Sequence, residues 1–349
     1  MPSLARLVFD RSQFPENVRR DLIESLGRRE INHKFHYDSV KQGQKWLALY
    51  QACSPARNDP DCAAIYDRSF IATANRVEAK PLHVIGLGCG GGQKDSRLLQ
   101  LVSESMKELF YTPCDVSSAL VLTAYQSAIQ IIPENNCLPL VCDLATAEEL
   151  PATLQQAFGL RFSTAAQRTE PARLFTFFGM LPNFEPGVIL PRLSGLLRAG
   201  DGLLLSANLA PGADYLAGVQ RVLPQYDNAL TRDWLMTFLL DLGVERNDGQ
   251  LRFAIEDSTE SGGAKRITVF FDFHRQRRIV VDAHAFEFKP GESIRLFFSW
   301  RHTPELVRSW LARHGLKVLE HWTTQSQEEG VFLATRPKPH EGPWIAAVL

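Results

Sequence analysis

Across 349 residues the longest apolar runs, such as 203–209, are far shorter than the roughly 20 residues a membrane-spanning helix needs. The N-terminus lacks the charged, then apolar, then small pattern of a signal segment, so the expectation is a soluble, cytoplasmic protein with no membrane partner. An excess of one charge is missing too. Lys and Arg number 38 against 39 Asp and Glu, a net charge of −1. With no basic run to track phosphates, nucleic acid is set aside and a small molecule becomes the default partner. Cysteine is sparse: Cys53, Cys62, Cys89, Cys114, Cys137 and Cys142 show no CxxC spacing and no neighbouring histidine, which excludes a disulfide framework and a sulfur-ligated metal centre. They read as reduced, mostly buried small apolar residues. His36, His83, His274, His284 and His302 are scattered, so no metal is expected. No repeat or low-complexity tract is present.

What is present centres on residues 82–94. A short apolar run suits a buried parallel strand, and it ends in Gly86-Leu87-Gly88-Cys89-Gly90-Gly91-Gly92, which opens a helical pattern from Lys94 through Leu98, Leu99 and Val102. Glycines at 88, 90 and 92 allow positive φ and let backbone N–H groups approach a ligand. Such turns serve nicotinamide, flavin and adenosylmethionine sites, and some serve packing alone. The following strands narrow the choice. Residues 109–117 form a second strand with Asp115 at its tip, where a ribose is held, and residues 138–144 a third that ends in Asp143-Leu144, beside a base. A dinucleotide site uses one acidic residue after the loop; two successive acidic tips suit the adenosyl group of S-adenosylmethionine. Either aspartate alone is also a good helix cap.

The chain otherwise divides as follows. Residues 1–66 read as N-terminal helices belonging to a substrate domain: apolar positions recur over 17–26, Asp38 or Ser39 caps a second helix, 54–61 is loop-like, and a helix over 65–79 leads into the core. Residues 67–210 alternate strand and helix, as a parallel sheet covered on both faces does, with 159–171 as a surface loop. Residues 211–301 break the alternation with helices over 215–222 and 228–242, then a meander of strands over 267–273, 278–285 and 293–300. Residues 302–335 resume the core, and 336–349 form an unassigned tail. The fold class expected is α/β, a Rossmann-like class I methyltransferase sheet carrying an inserted α+β substrate-binding domain.

The order of these pieces resembles the SAM-dependent histidine-specific methyltransferases, which trimethylate the α-amine of histidine in the ergothioneine pathway. The matching stretches are Lys34-Phe35-His36-Tyr37-Asp38, the loop from Gly86 to Lys94, residues 111–117, Cys142-Asp143-Leu144, residues 178–184, Tyr226-Asp227-Asn228 and residues 291–299. The resemblance implies S-adenosyl-L-methionine as cofactor, held by Gly86, Gly88, Gly90, Lys94, Asp115, Asp143 and Leu144. It implies Asn183 and Tyr226 as the groups that orient the acceptor's amine and carboxylate, Tyr226 or a water taking the proton, with Tyr37 at the acceptor pocket; Tyr66 is a further, partial match. Two positions depart from the pattern. The first loop residue, acidic in most of the family, is Gly86. Where histidine-methylating members carry a glutamate two residues before a serine, this chain has Phe297 before Ser299, and a phenyl ring accepts no hydrogen bond from imidazole. With Phe298 and Trp300, Phe297 is expected to line an apolar pocket, although strand alternation must turn one of these aromatics to the core.

The sequence therefore leads to an S-adenosylmethionine-dependent N-methyltransferase acting on the α-amine of a small amino acid or related amine other than histidine. The alternatives are a histidine N-α-methyltransferase that uses other contacts, a binding protein that keeps the cofactor fold without turnover, and a nicotinamide oxidoreductase, which Lys94 and Asp143 disfavour.

Overall fold

A computed structural model describes residues 5–76, 81–104, 106, 108–162, 171–257 and 263–337. In chain order the first part comprises β1 (Val8–Phe9), α1 (Pro15–Arg28), α2 (Val40–Cys53), α3 (Pro55–Asn58), α4 (Pro60–Arg76), β2 (Leu82–Leu87), α5 (Gln93–Ser103), β3 (Leu109–Asp115), α6 (Ser118–Ala128), β4 (Leu140–Val141), α7 (Leu150–Phe162), β5 (Ala172–Phe177), α8 (Pro186–Leu196) and β6 (Gly202–Asn208). The second comprises α9 (Tyr215–Tyr226), α10 (Ala229–Asp241), β7 (Gly249–Asp257), β8 (Lys265–Phe273), β9 (Arg277–Val281), β10 (His284–Phe288), β11 (Ser293–Arg301), α11 (Pro304–Arg313), β12 (Lys317–Thr323) and β13 (Glu329–Thr335).

The large sheet runs β1-β4-β3-β2-β5-β6-β13-β12, parallel from β1 to β6 and antiparallel where β13 joins β6 and β12. Strand β2 is buried along its whole length, which is why its sequence is continuously apolar. Its residues alternate between two cores. Leu82 and Val84 pack with Ile65 and Phe70 of α4 and Leu98 and Leu99 of α5, while Ile85 and Leu87 face Ile189 and Leu193 of α8. Helices thus cover both faces, and the α/β class expected from the alternation is what the chain forms.

A second sheet, β11-β8-β7, is antiparallel and sits over α10 and the N-terminal segment, sharing a core in which Leu26, Phe35, Trp234 and Phe238 meet Val269, Phe271 and Ile294. Fully buried aromatics such as Phe271 and Phe273 each contribute about 1.5–3 kcal/mol by leaving water. A bridge between Leu209 and His302 joins the end of β6 to the end of β11, so the two sheets meet beside the strand tips of the first.

Several expectations change. Residues 8–9 are not helical but add a strand to the large sheet's edge. The stretch 54–61 is mostly helix, with prolines at the first positions of α3 and α4, where a missing N–H costs nothing. Helix α4 packs on the large sheet from its first turns, through Cys62, Ile65 and Tyr66. Helix α7 continues to Phe162, so the loop read over 159–171 begins later, and residues 163–170 lie outside the described part. The meander is rearranged: β7 went unrecognised, and 278–285 is split by a two-residue turn with Asp282 at φ 53 into the separate hairpin β9–β10. Ser39, not Asp38, caps α2, in a reciprocal pairing with Gln42. The tail from 338 and residues 77–79 lie outside the described part.

Candidate active site

The tips of β2, β3, β5 and β6 open into a cavity of about 370 Å³, closed from above by α2, the end of α9, α10 and β11. Open parallel sheets bind ligands at this carboxyl edge.

At one end lies the glycine turn. Gly88 and Gly90 have φ of 68° and 54°, and a Cβ on Gly90 would stand 2.7 Å from the Trp46 indole, which covers the turn. The backbone is thereby exposed to a ligand without a side chain between. Asp115 Oδ2 accepts from the Gly90 N–H at 3.0 Å and Oδ1 from the Ser117 N–H at 3.0 Å. Burial pushes its carboxyl up to about 6, against the pull of backbone N–H groups at Ser117, Gly90 and Val116. A carboxylate that is nearly enclosed, faces the cavity and keeps acceptor capacity fits a ribose diol.

The other cofactor residues expected from sequence fall in different places. Gly88, Gly90, Lys94 and Leu144 line the cavity with Asp115, whereas Gly86 and Asp143 do not. The Asp143 carboxylate is already engaged by Lys34 Nζ at 3.2 Å and by the Ala145 N–H at 2.8 Å. Lys34 also pairs with Asp21 at 2.5 Å, so this buried trio ties α1 to the end of β4. The Lys94 ammonium turns to the Tyr66 hydroxyl at 2.5 Å and to Glu329 at 3.7 Å. Tyr66 in turn donates to Glu329, whose carboxylate is therefore committed to the wall.

At the other end, β11 supplies Phe297, Ser299 and Arg301 from one face, while Phe298 and Trp300 point to the core under the large sheet. Of the three aromatics expected at an apolar pocket, with one turned to the core by alternation, Phe297 lines the cavity and both Phe298 and Trp300 face the core. The cause is a bulge: the pairing of β11 with β8 slips between Arg295 and Phe297, making Leu296 the extra residue. A one-residue slip turns every later side chain to the opposite face. Two histidines of the N-terminal segment hold the bulge. His36 Nε2–H donates to the Leu296 carbonyl at 2.7 Å, and His33 Nε2 accepts from the Phe298 N–H at 3.1 Å while its ring stacks on Phe297 at 4.7 Å. Burial lowers both imidazoles, His36 to about 4. Trp234 meets the other flank of Phe297 edge-on.

Tyr226, the last residue of α9, places its hydroxyl in a polar knot. Arg301 Nη2 donates to it at 2.6 Å, Asn208 Nδ2 at 3.2 Å, and it pairs with Ser299 Oγ at 2.9 Å. Arg301 is 5% exposed, its Nε has no hydrogen-bond partner, and among the described residues no carboxylate pairs with it. Asn183 follows β5 and lines the same end, its amide donating to the Gly179 carbonyl at 3.3 Å. Tyr37 stands between Trp46 and Trp234, and burial together with the charge of Asp115 pushes its phenol up. Sequence reasoning missed Asn208, Arg301 and Asp95. The signals were a polar residue closing an apolar strand, the period-two partner of Ser299, and an acid directly after Lys94.

A parallel sheet with one antiparallel strand next to its end, a glycine turn and a buried acid at the adjacent tip define the class: this is an S-adenosylmethionine-dependent methyltransferase. The chain belongs to the family of SAM-dependent histidine-specific methyltransferases, whose model matches residues 18–336. It is similar to the histidine N-alpha-methyltransferase of Mycobacterium tuberculosis (strain CDC 1551 / Oshkosh), with 25% identity over 335 residues that cover 91% of this chain and 95% of the relative. Among solved structures it resembles in fold the magnesium protoporphyrin IX methyltransferase of Synechocystis PCC 6803 with bound SAH, at 12% identity, TM-score 0.43 and coverage of 86% and 96% of the two chains. A 1,6-didemethyltoxoflavin-N1-methyltransferase from Burkholderia thailandensis gives 11%, 0.42, 97% and 94%.

Proposed function

We propose that this methyltransferase acts on the α-amine of a small amino acid or related amine with an apolar or aromatic side chain, in preference to histidine. The observation that carries the reading is the row Phe297, Ser299, Arg301 on one face of β11. Arg301 is a buried cation with no anion paired to it among the described residues, complementary to an α-carboxylate, which a guanidinium takes with two parallel hydrogen bonds. Phe297, framed by His33 and Trp234, is a ring without an acceptor for an imidazole N–H.

When bound, S-adenosylmethionine supplies a methyl group activated on a sulfonium. Asn183 and Tyr226 would orient the amine with its lone pair free for that methyl group, which the cofactor would give up to nitrogen while the C–S electron pair stayed with sulfur. Tyr226 oxygen already accepts from Arg301 and Asn208 and its hydroxyl pairs with Ser299 Oγ, so it does not take the proton, and the proton released by nitrogen passes to water. The wall of Tyr37, Trp46 and Trp234 over the cavity excludes bulk solvent and fixes the approach.

Histidine remains the second reading, favoured by the family's description and by the name of the M. tuberculosis relative. Incubation with methyl-labelled S-adenosylmethionine and a panel of amino acids separates the two. Label on aromatic or aliphatic amino acids ahead of histidine is the expected result, and label on histidine ahead of all others overturns the proposal.

A further inference from the structure

Asp95 is the second residue of the chain after the glycine turn to carry a charge, and among the described residues no cation pairs with its carboxylate. It is 3% exposed, in the first turn of α5, and it lines the cavity. Tyr111 O–H donates to Oδ2 at 2.7 Å and Thr176 O–H to Oδ1 at 2.7 Å, so both oxygens are fixed while each keeps acceptor capacity. The nearest candidate, Lys94, is turned away to Tyr66 and Glu329. Burial makes this carboxylate costly to ionise and raises it to about 6, against the pull of the two hydroxyls and of the Lys94 charge, and a cationic ligand offsets that cost.

The geometry of Gly86 says where this charge stands. A Cβ built on Gly86 falls 2.2 Å from Asp95 Oδ2 and 3.1 Å from the Tyr111 hydroxyl. Gly86 is not among the glycines with positive φ, so its backbone would accept a side chain, and it is Asp95 above all, with the Tyr111 hydroxyl, that stands in the way. An acid at position 86 and an acid at position 95 therefore compete for one space, and in this chain the second has it.

We propose that Asp95 binds the α-ammonium group of the cofactor's amino-acid tail, from the space on α5 that an acidic side chain at position 86 would otherwise fill from β2. The inference rests on the S-adenosylmethionine reading of the cavity. An ammonium is chosen over the sulfonium because it carries N–H donors for the free lone pairs of Asp95 and the sulfonium carries none.

The test uses S-adenosylhomocysteine and methylthioadenosine, which share adenosine and thioether but differ in the amino-acid tail. In calorimetry, Asp95→Ala should weaken S-adenosylhomocysteine about ten- to a hundredfold, the loss of a charge-assisted hydrogen bond, and leave methylthioadenosine unchanged. The relocated acid, Gly86→Asp with Asp95→Ala, should recover most of the loss, which a merely disturbed fold would not allow. Equal weakening of both nucleosides by Asp95→Ala, unchanged S-adenosylhomocysteine binding, or a loss confined to S-adenosylmethionine overturns the assignment. A wild-type chain that binds neither nucleoside overturns instead the cofactor reading beneath it.

Discussion

The two ends of the cavity are built in different ways. At the cofactor end, Leu87 to Asp95 and Asp115 with Val116 supply most of the wall from two neighbouring strand tips, and their hydrogen bonds link the turn after β2 to the tip of β3. At the acceptor end the wall is collected from Tyr37, Asn183, Asn208, Tyr226 and the β11 row, segments far apart in the chain. One end is a local motif repeated wherever a parallel strand feeds a helix; the other exists only when two sheets have docked. Local construction fixes the cofactor, and long-range construction leaves the acceptor free to change by single substitutions.

That contrast breaks most sharply at Asp115. Asp115→Ala removes the carboxylate proposed for the ribose diol, so S-adenosylhomocysteine affinity should fall by about a hundredfold or more, two hydrogen bonds to a charged group at about 1.5–3 kcal/mol each, while the orphaned N–H groups of Gly90 and Ser117 lower stability. Calorimetry reads this directly, and affinity kept within about threefold would place the cofactor elsewhere. Arg301→Gln probes the opposite end. Acceptor KM should rise about ten- to a hundredfold, the range for a hydrogen bond to a charged group, while S-adenosylhomocysteine binds as before. If both ligands weaken together, the two ends are not independent.

Phe297→Glu sharpens the comparison at one residue. It restores an acceptor at the pocket position and should raise histidine affinity about tenfold, one hydrogen bond to a charged partner set against the burial of the new carboxylate. Unchanged histidine binding would show that the ring serves the core alone.

The uneven construction also explains what the chain's letters disclosed. The alternation of strands and helices, the glycine turn and Asp115 are short-range patterns, and all were legible. The facing of Phe297 was not, because it depends on the Leu296 bulge, and the bulge depends on His33 and His36 more than 250 positions away in sequence. Alternation read without the bulge puts Phe298 and Trp300 on the wrong side. Asp143 looked like Asp115 by position, but Lys34, brought in by the N-terminal segment, takes its carboxylate. β7 escaped notice because its residues are mostly half-buried, without the apolar alternation of a strand that faces a core.

Acid should set the two ends against each other. Burial lowers His36 and His302 to about 4 and His83 to about 3, so the unfolded chain takes up these protons from about 6.5 downward and the folded chain does not. Their contribution to stability is lost as pH falls toward 4. Asp95 and Asp115 work in the opposite sense. Their carboxyls are raised to about 6, so their contribution is fully present below the unfolded value near 4 and is lost as pH rises through 6. His33 is lowered by burial as well, so four imidazoles stand against two carboxyls and the ligand-free protein should lose stability as pH falls from about 6 to 4. Urea unfolding at pH 7, 6, 5 and 4 measures it. Stability that rises toward pH 4 would mean that the carboxylates of the cofactor end outweigh the buried imidazoles, two of which, His36 and His302, lie at the two ends of the β11 row that faces the acceptor.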